Sequence, residues 1–422
     1  MDLKRKPKVL EADRQQVRLV PIDLETLIAE NDQVRAVWAF AERVDLSGFY
    51  DAIKSEAGKP GRSAIDPKLL FALWIQATLD GIGSARELER KCRLDLRYQW
   101  ISGGQVPNYH TLATFRSGAA ERFEKILTDV IALMLTEGLV ELKRVSQDGV
   151  RVRASAGAGS FRRGQRLRQM REVAREQIEA LAKEVDDDPG ASKRRDEAAR
   201  ARAAKERLAR IERALEQMPE AEKRKKSNNG KKKSEARVST TDPDAYVMKM
   251  ADGGFRPAFN VQFAADTKSK VIVAVEVSNE GSDMRLLDPM ITKLGRLFNQ
   301  TPGEWLVDGG YVTLGAIEAA AGRGCQIYAP PREPRGEGHT PTEVRPTDTT
   351  AVADWRRRMD TDEGKRIYKL RGSTSELINA HARRRGLTQF AVRGFKRVFA
   401  VTLLHAIAHN FARWRKLAPA FA

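Results

Sequence analysis

The chain has 422 residues, too many for one ordinary compact core, so two or three folding units are expected. Apolar residues make up 41%, which excludes a disordered chain. The net charge of +18, from 75 Lys and Arg against 57 Asp and Glu, points to a polyanionic partner; nucleic acid is the commonest, and a basic scaffold is the plain alternative. Cys92 and Cys325 are far apart and lack metal-ligand spacing, which argues against a disulfide framework or a zinc site and fits a reducing cytosol. Met1 to Lys8 is charged and no apolar stretch follows it, so no signal peptide is expected. The longest apolar run, Val398 to Ala408, is interrupted by His405 and too short for a bilayer. These features predict a soluble, cytoplasmic protein with no membrane partner.

Residues 1–140 read as a helical domain. Asp66 as N-cap and Pro67 at the first helical position open an apolar-periodic run through Leu69, Leu70, Leu73, Trp74 and Ala77. Gly81 to Ser84 breaks it, and Ser84 with Glu87 forms a capping box for the next helix. A turn at Asn108 to Thr111 precedes an amphipathic stretch from Phe115 to Leu135. Short helices between tight turns suit a DNA-binding module and a plain helical domain equally.

At Val145 the period changes to two, and Val145 to Ala154 reads as a half-buried strand. Residues 161–237 form a charged insert; from Arg162 to Arg237 there are 24 basic and 15 acidic residues. Leu167, Met170, Ile178, Leu181 and Val185 make one apolar stripe, ended by Asp186 to Gly190. Ala201, Ala204, Leu208, Ile211, Leu215 and Met218 make a second. Two antiparallel helices follow from this, with Lys223 to Lys233 as a basic loop and DNA contact as an added hypothesis.

Strands resume with Phe255 to Ala265 and Val271 to Val277 as a hairpin. A helix from Met284 to Phe298 leads to a short strand, Trp305 to Val307, ending in Asp308-Gly309-Gly310. Leu314 to Ala321 is helical, Gln326 to Ala329 is a strand, and the remainder to residue 418 is mainly helical. The order predicts an α+β fold, a mixed sheet flanked by helices, with its parts at 141–160 and 238–418 on either side of the insert.

Asp148 lies on the first strand and Asp308 ends the fourth, where ligands bind beyond strand carboxyl ends. The glycines after Asp308 leave room for a phosphate backbone. If the two strands are neighbours, the carboxylates repel and need a cation between them; an oxygen-only donor set favours Mg²⁺ or Mn²⁺. Each Asp-Gly pair taken alone reads as an ordinary turn cap, and only two such sites in one basic mixed-sheet domain shift the balance toward chemistry. A two-ion site, with ions about 4 Å apart, needs a third acid from Glu318, Asp354, Asp360, Glu363 or Glu376. Glu376 shares a helix face with Ala380 and Arg383, pairing an acid with a phosphate contact, but Ser373 and Glu376 also fit a capping box. From Arg383 to Lys416 there are nine basic residues and no acid. Arg383, Arg384, Arg385 and Lys396 are candidate phosphate contacts, whereas Phe399 and Phe411 read as core.

These motifs resemble the DDE transposases of bacterial insertion sequences, in the group with a Tyr, Arg, Glu, Lys signature. Gln147-Asp148-Gly149 resembles the first catalytic Asp, and Val307-Asp308-Gly-Gly-Tyr311 the second. Asp242-Pro-Asp244-Ala and Phe259-Asn260-Val-Gln262 resemble the strand that pairs with the first. Tyr368, Arg371 and Glu376 resemble the signature around the third acid, followed by Arg385-Gly386-Leu387, Arg393-Gly394 and His409-Asn410. Ile65 to Arg116 resembles the domain that precedes the catalytic core. Four residues separate Arg371 from Glu376, where the signature has three. Arg383 stands at the Lys position, and Asn108 replaces an Asp before His110, where no catalytic role is assigned.

The resemblance implies a ribonuclease-H-like catalytic domain behind an N-terminal DNA-binding domain. Asp148, Asp308 and Glu376 would hold two Mg²⁺ or Mn²⁺ ions, with Tyr368, Arg371 and Arg383 on the DNA. The implied partners are double-stranded DNA, both transposon terminal repeats and target, and a second copy of the chain in a homodimer on DNA. A nuclease that cuts without joining, and a catalytically silent DNA-binding protein of transposase origin, are the rival readings.

Overall fold

The computed structural model describes residues 23–55, 63–187, 194–227, 235–333 and 340–418. Seven helices precede the first strand: α1 (Gln33–Arg43), α2 (Ser47–Tyr50), α3 (Pro67–Leu79), α4 (Ala85–Leu94), α5 (Leu96–Ser102), α6 (Tyr109–Gly118) and α7 (Ala120–Thr136). Their starts follow local chemistry. The Asp66 carboxylate accepts from the Lys68 amide beside Pro67, Ser84 accepts from Glu87, and Asn108 accepts from Thr111. Asn108 is thus an N-cap, a sufficient reason for that residue type. The single amphipathic stretch expected after Phe115 is instead two helices broken at Ala119.

The main sheet contains β1 (Arg144–Arg153), then β4 (Tyr246–Lys249), β5 (Phe255–Asp266), β6 (Ile272–Ser278), β7 (Glu304–Leu306) and β8 (Gln326–Tyr328). Its order is β6–β5–β1–β7–β8, with β4 also on the outer edge of β5. β5 runs antiparallel to β1 and β6, whereas β1, β7 and β8 are parallel. This is the ribonuclease-H-like mixed sheet within the expected α+β fold. Helices α11 (Leu287–Phe298) and α12 (Leu314–Ala321) form the crossover segments. The chain ends in α13 (Thr350–Asp360), α14 (Asp362–Arg384) and α15 (Phe395–Leu417).

Helix α14 decides between the two readings left open at Ser373 and Glu376. It runs unbroken from its N-cap Thr361 through Gly372, Ser373, Thr374 and Ser375, so Ser373 and Glu376 form no capping box. Burial of Ile367, Thr374, Ser375 and Ile378 fixes this helix from one side, overriding the weak propensity of the Gly-Ser-Thr-Ser run.

The insert rises from a two-stranded ribbon, β2 (Phe161–Arg162) with β3 (Val238–Ser239). Helices α8 (Gly164–Asp187) and α9 (Arg194–Glu216) pack antiparallel, with Leu167 buried beside Ala214 and Met218, and Arg175 reaching Glu212. Helix α10 (Met218–Ser227) occupies the first half of the stretch expected to be a basic loop; the rest of Lys223 to Lys233 lies outside the described residues, as does most of the turn at Asp186 to Gly190.

The insert has its own small apolar cluster, but the helices before β1 share one core with the sheet. Phe40 of α1 packs on Phe411 of α15 at 5.2 Å and edge-on against Trp414 at 5.9 Å. Phe399, also expected in the core, is only partly buried and has the Lys293 ammonium over its ring. Asn410 of α15 brackets the Ile272 backbone, accepting from its N–H and donating to its C=O, both at 2.8 Å. Both cysteines are free and buried, and no described helix is long and apolar enough to cross a membrane.

Candidate active site

Parallel pairing of β1 with β7 sets the level of the two aspartates. Ser146 is the register partner of Leu306, so Asp148 and Asp308 each follow two residues later on neighbouring chains. Strand alternation turns Ser146 and Asp148 to one face, and Gln147 and Gly149 to the other. Helix α14 crosses the first of these faces, with the Ser375 and Ser146 hydroxyls 2.9 Å apart.

One guanidinium joins the two aspartates. Nη2 of Arg371 lies 3.2 Å from Oδ1 of Asp148 and 3.4 Å from Oδ2 of Asp308. Asn379 donates to the second oxygen of Asp148 at 3.0 Å. Asp148 is the more enclosed, its side chain 22% exposed against 42% for Asp308. Burial pushes the Asp148 carboxyl above its ordinary pKa, opposed chiefly by Arg371, while the neighbouring Asp308 and Asp283 charges push the same way as burial. Tyr368, one turn before Arg371, is half-buried beside the pair, and burial raises its phenol pKa.

The turn after β7 is built on Asp308 itself. Gly310 N–H donates to Oδ1 of Asp308 at 2.7 Å. A Cβ at Gly310 would stand 2.9 Å from that oxygen, and one at Gly309 would stand 3.2 Å from the Pro330 carbonyl. Close contacts within the protein thus also favour glycine at both positions.

Behind the aspartates lies a buried polar network that spacing did not reveal. Gln147 donates to Gln262 Oε1 at 3.0 Å and accepts from the Trp305 indole at 3.1 Å. Tyr311 donates to the same Gln262 oxygen at 2.6 Å, and Gln262 donates to Asn260 at 3.0 Å and to Asp283 at 2.9 Å. The network fills the space above Gly149, where a Cβ would meet Gln262 Nε2 at 2.3 Å. Gly149 thus lets two layers of polar side chains lock β1 to β5.

The remaining expected residues lie elsewhere on the surface. Glu376 is exposed and makes no hydrogen bond or ion pair among the described residues. No three acidic, His or Cys side chains among the described residues form a group able to hold a metal ion. Glu376, Ala380 and Arg383 do share a face, but it is the solvent face of α14; Arg371, Ser375 and Asn379, spaced four apart, form the face toward β1. Arg383, Arg384 and Arg385 stand about 18 Å beyond Arg371 along the helix. The first two are exposed, whereas Arg385 is half-buried and burial lowers its pKa. Lys396 is exposed and pairs with Glu121 at 3.2 Å. The Asp242-Pro-Asp244-Ala segment, expected in a pairing strand, is a turn: Asp242 and Asp244 accept from the Gly394 and Phe395 amides and cap α15.

Two family models match the chain. Residues 23–118 match the model described as Transposase domain (DUF772), and residues 219–411 match the model described as Transposase DDE domain. The second match contains Asp308 and α14, while β1 and Asp148 lie outside it. No curated protein and no solved structure matches the chain. Taken together the two matches span most of the molecule in the order helical domain, then DDE domain, and they support a DDE transposase of an insertion sequence.

Proposed function

We propose that this transposase binds the ends of its element as double-stranded DNA, cleaves one strand there, and joins the freed 3′-hydroxyl to target DNA. Asp148, Asp308 and Glu376 would be the metal-binding acids, with Mg²⁺ or Mn²⁺ as a pair of ions. The observation that carries this reading is the register of β1 and β7, which sets Asp148 and Asp308 side by side on one guanidinium nitrogen. Two carboxylates sharing a cationic partner are a donor set suited to a hard divalent cation. Bound ions supply activation of the attacking oxygen and stabilisation of the leaving one.

The chain's own residues do the positioning. Asn379 holds the Asp148 carboxylate by one oxygen and leaves the other to the Arg371 nitrogen that also reaches Asp308. Arg371 offsets one of the pair's two negative charges in the absence of metal and, once a cation took its place, would be free to contact a phosphate. Glu376 lies on α14 between Arg371 and Asn379, both of which reach Asp148, and its side chain has no competing partner among the described residues. Its assignment as the third acid rests on the resemblance around Tyr368 and Arg371, and from the solvent face of α14 its side chain would have to turn toward Asp148 and Asp308 when DNA and metal bind.

In this reading residues 1–140 form the DNA-binding domain, residues 141–160 with 238–418 the catalytic domain, and 161–237 the insert. Arg383, Arg384, Arg385 and Lys396 would hold phosphates away from the scissile bond, with Tyr368 close to it. Synapsis of two ends calls for a homodimer. A strand-transfer assay with pre-cleaved ends tests the assignment: joined product is expected, and cleavage without any joining would make the protein a nuclease on the same fold.

A further inference from the structure

A cavity of about 240 Å³ lies where the insert meets the catalytic body. Helix α9 contributes Arg207 and Arg210, three residues apart and so on one helix face. The segment leading into α15 contributes Arg393, and the turn after β3 contributes Thr240 and Thr241. Three arginines and two threonines from three separate elements thus line one cavity; the Thr240 hydroxyl already donates to the Ser160 carbonyl at 3.2 Å.

The charges there are not cancelled. Arg210 has Glu206 only at 3.9 Å, with that glutamate side chain 74% exposed, a weak and solvated pair. Arg207 has no ion pair among the described residues. Arg393 donates its Nε to the Ser155 carbonyl at 3.2 Å, which fixes the stem and leaves its terminal nitrogens available. Of the buried acids at this joint, Asp244 takes three contacts from Arg213 together with the Phe395 amide, while Asp242 caps Gly394 through one oxygen, keeps the other without a hydrogen-bond partner, and feels the Arg393 charge without pairing with it. Other insert arginines are paired, such as Arg175 with Glu212 and Arg163 with Glu235. Arg207 and Arg393 are exposed and Arg210 is partly so, which makes this an open, solvated concentration of positive charge; a tetrahedral oxyanion can accept forked N–H donors from guanidiniums placed this way.

We propose that this cavity binds one phosphate oxyanion of the DNA backbone, so that the insert and the catalytic body grip the same strand across their joint. The proposal rests on the DNA-binding reading above and adds a site to it. The ligand chemistry is that of a phosphodiester, and free phosphate is the other possible source.

The test uses the full chain, a fluorescently labelled duplex and a series of salt concentrations. Arg207→Gln, Arg210→Gln and Arg393→Gln combined should weaken duplex binding on the order of tenfold and flatten the log–log salt slope by about one. The corresponding triple Lys variant, which keeps charge but loses the fork, should retain the slope while losing part of the affinity. A melting curve for each variant establishes that it is folded. A folded triple Gln variant with wild-type affinity and slope overturns the proposal. If inorganic phosphate alone then raises the melting temperature of the wild type but not of the variant, the cavity is a free-anion site, and the DNA grip is overturned as well. Wild-type protein without duplex affinity would strike the DNA-binding reading itself.

Discussion

Asn379 donates to one oxygen of Asp148 at 3.0 Å, while Arg371, two turns earlier on the same helix, donates to the other at 3.2 Å. The same Arg371 nitrogen also reaches Asp308. A divalent cation entering between the aspartates must therefore displace a guanidinium charge. Arg371→Gln removes this competitor, and Mn²⁺ should bind the DNA-free protein about tenfold more tightly, corresponding to ~1.4 kcal/mol for a half-buried ion pair. Isothermal titration measures it; equal or weaker Mn²⁺ binding would show that the guanidinium is not in the way.

Gly149 tests the network behind the site. An added methyl would meet Gln262 Nε2 at 2.3 Å and Asn260 Oδ1 at 2.8 Å, and both side chains are buried and hydrogen-bonded. Neither can yield without breaking a buried polar contact, so Gly149→Ala should cost about 2–4 kcal/mol. Calorimetric melting should fall by several degrees. An unchanged Tm would mean that the network relaxes freely.

Much of the sheet was legible because its signals are local. The alternation from Val145, the turn at residues 266–270 and the apolar run ending at Asp308 each mark a strand by side-chain pattern alone, and β1, β5, β6 and β7 are found there. Pairing of β1 with β7 was legible only as a condition, since parallel neighbours are chosen by tertiary packing. The course of α14 at Gly372 to Ser375 was left open because Ser and Gly favour caps and breaks locally, whereas burial against β1 keeps this helix continuous. Asn379 carried a readable signal: Arg371, Ser375 and Asn379 recur every four residues, but polar residues at helical spacing ordinarily indicate a solvent face. Gln147, Asn260, Gln262 and Tyr311 all stand in the motifs that carry the resemblance, but spacing could not join them into one network, because its members come from three strands and two loops.

Asp242 offers a pH-dependent check on the joint between turn and helix. Burial pushes its carboxyl up to about 6, the neighbouring Asp244 adds to this, and the Gly394 amide opposes it; one of its oxygens is buried without a partner. A carboxyl whose pKa is raised by folding stabilises the native state below the ordinary carboxylate pKa, and that contribution is lost as pH rises through 6. Wild type minus Asp242→Asn stability should therefore fall between about pH 4 and about pH 6, by up to about 3 kcal/mol. The buried His405 and His409 are common to both proteins and cancel in the difference. Urea unfolding across this range measures it, and a difference that stays flat or grows with pH would contradict the assignment.

The central claim, that Asp148 and Asp308 act as one metal-binding pair, is tested most directly by strand cleavage. Asp148→Asn and Asp308→Asn are each compared with wild type on a labelled transposon end, in Mg²⁺ and again in Mn²⁺, with end binding measured alongside. Each substitution should lower cleavage about a thousandfold or more, the scale of several kcal/mol of lost metal assistance, while end binding stays within a few-fold. Cleavage near the wild-type rate by either variant would remove that residue from the site and contradict the account.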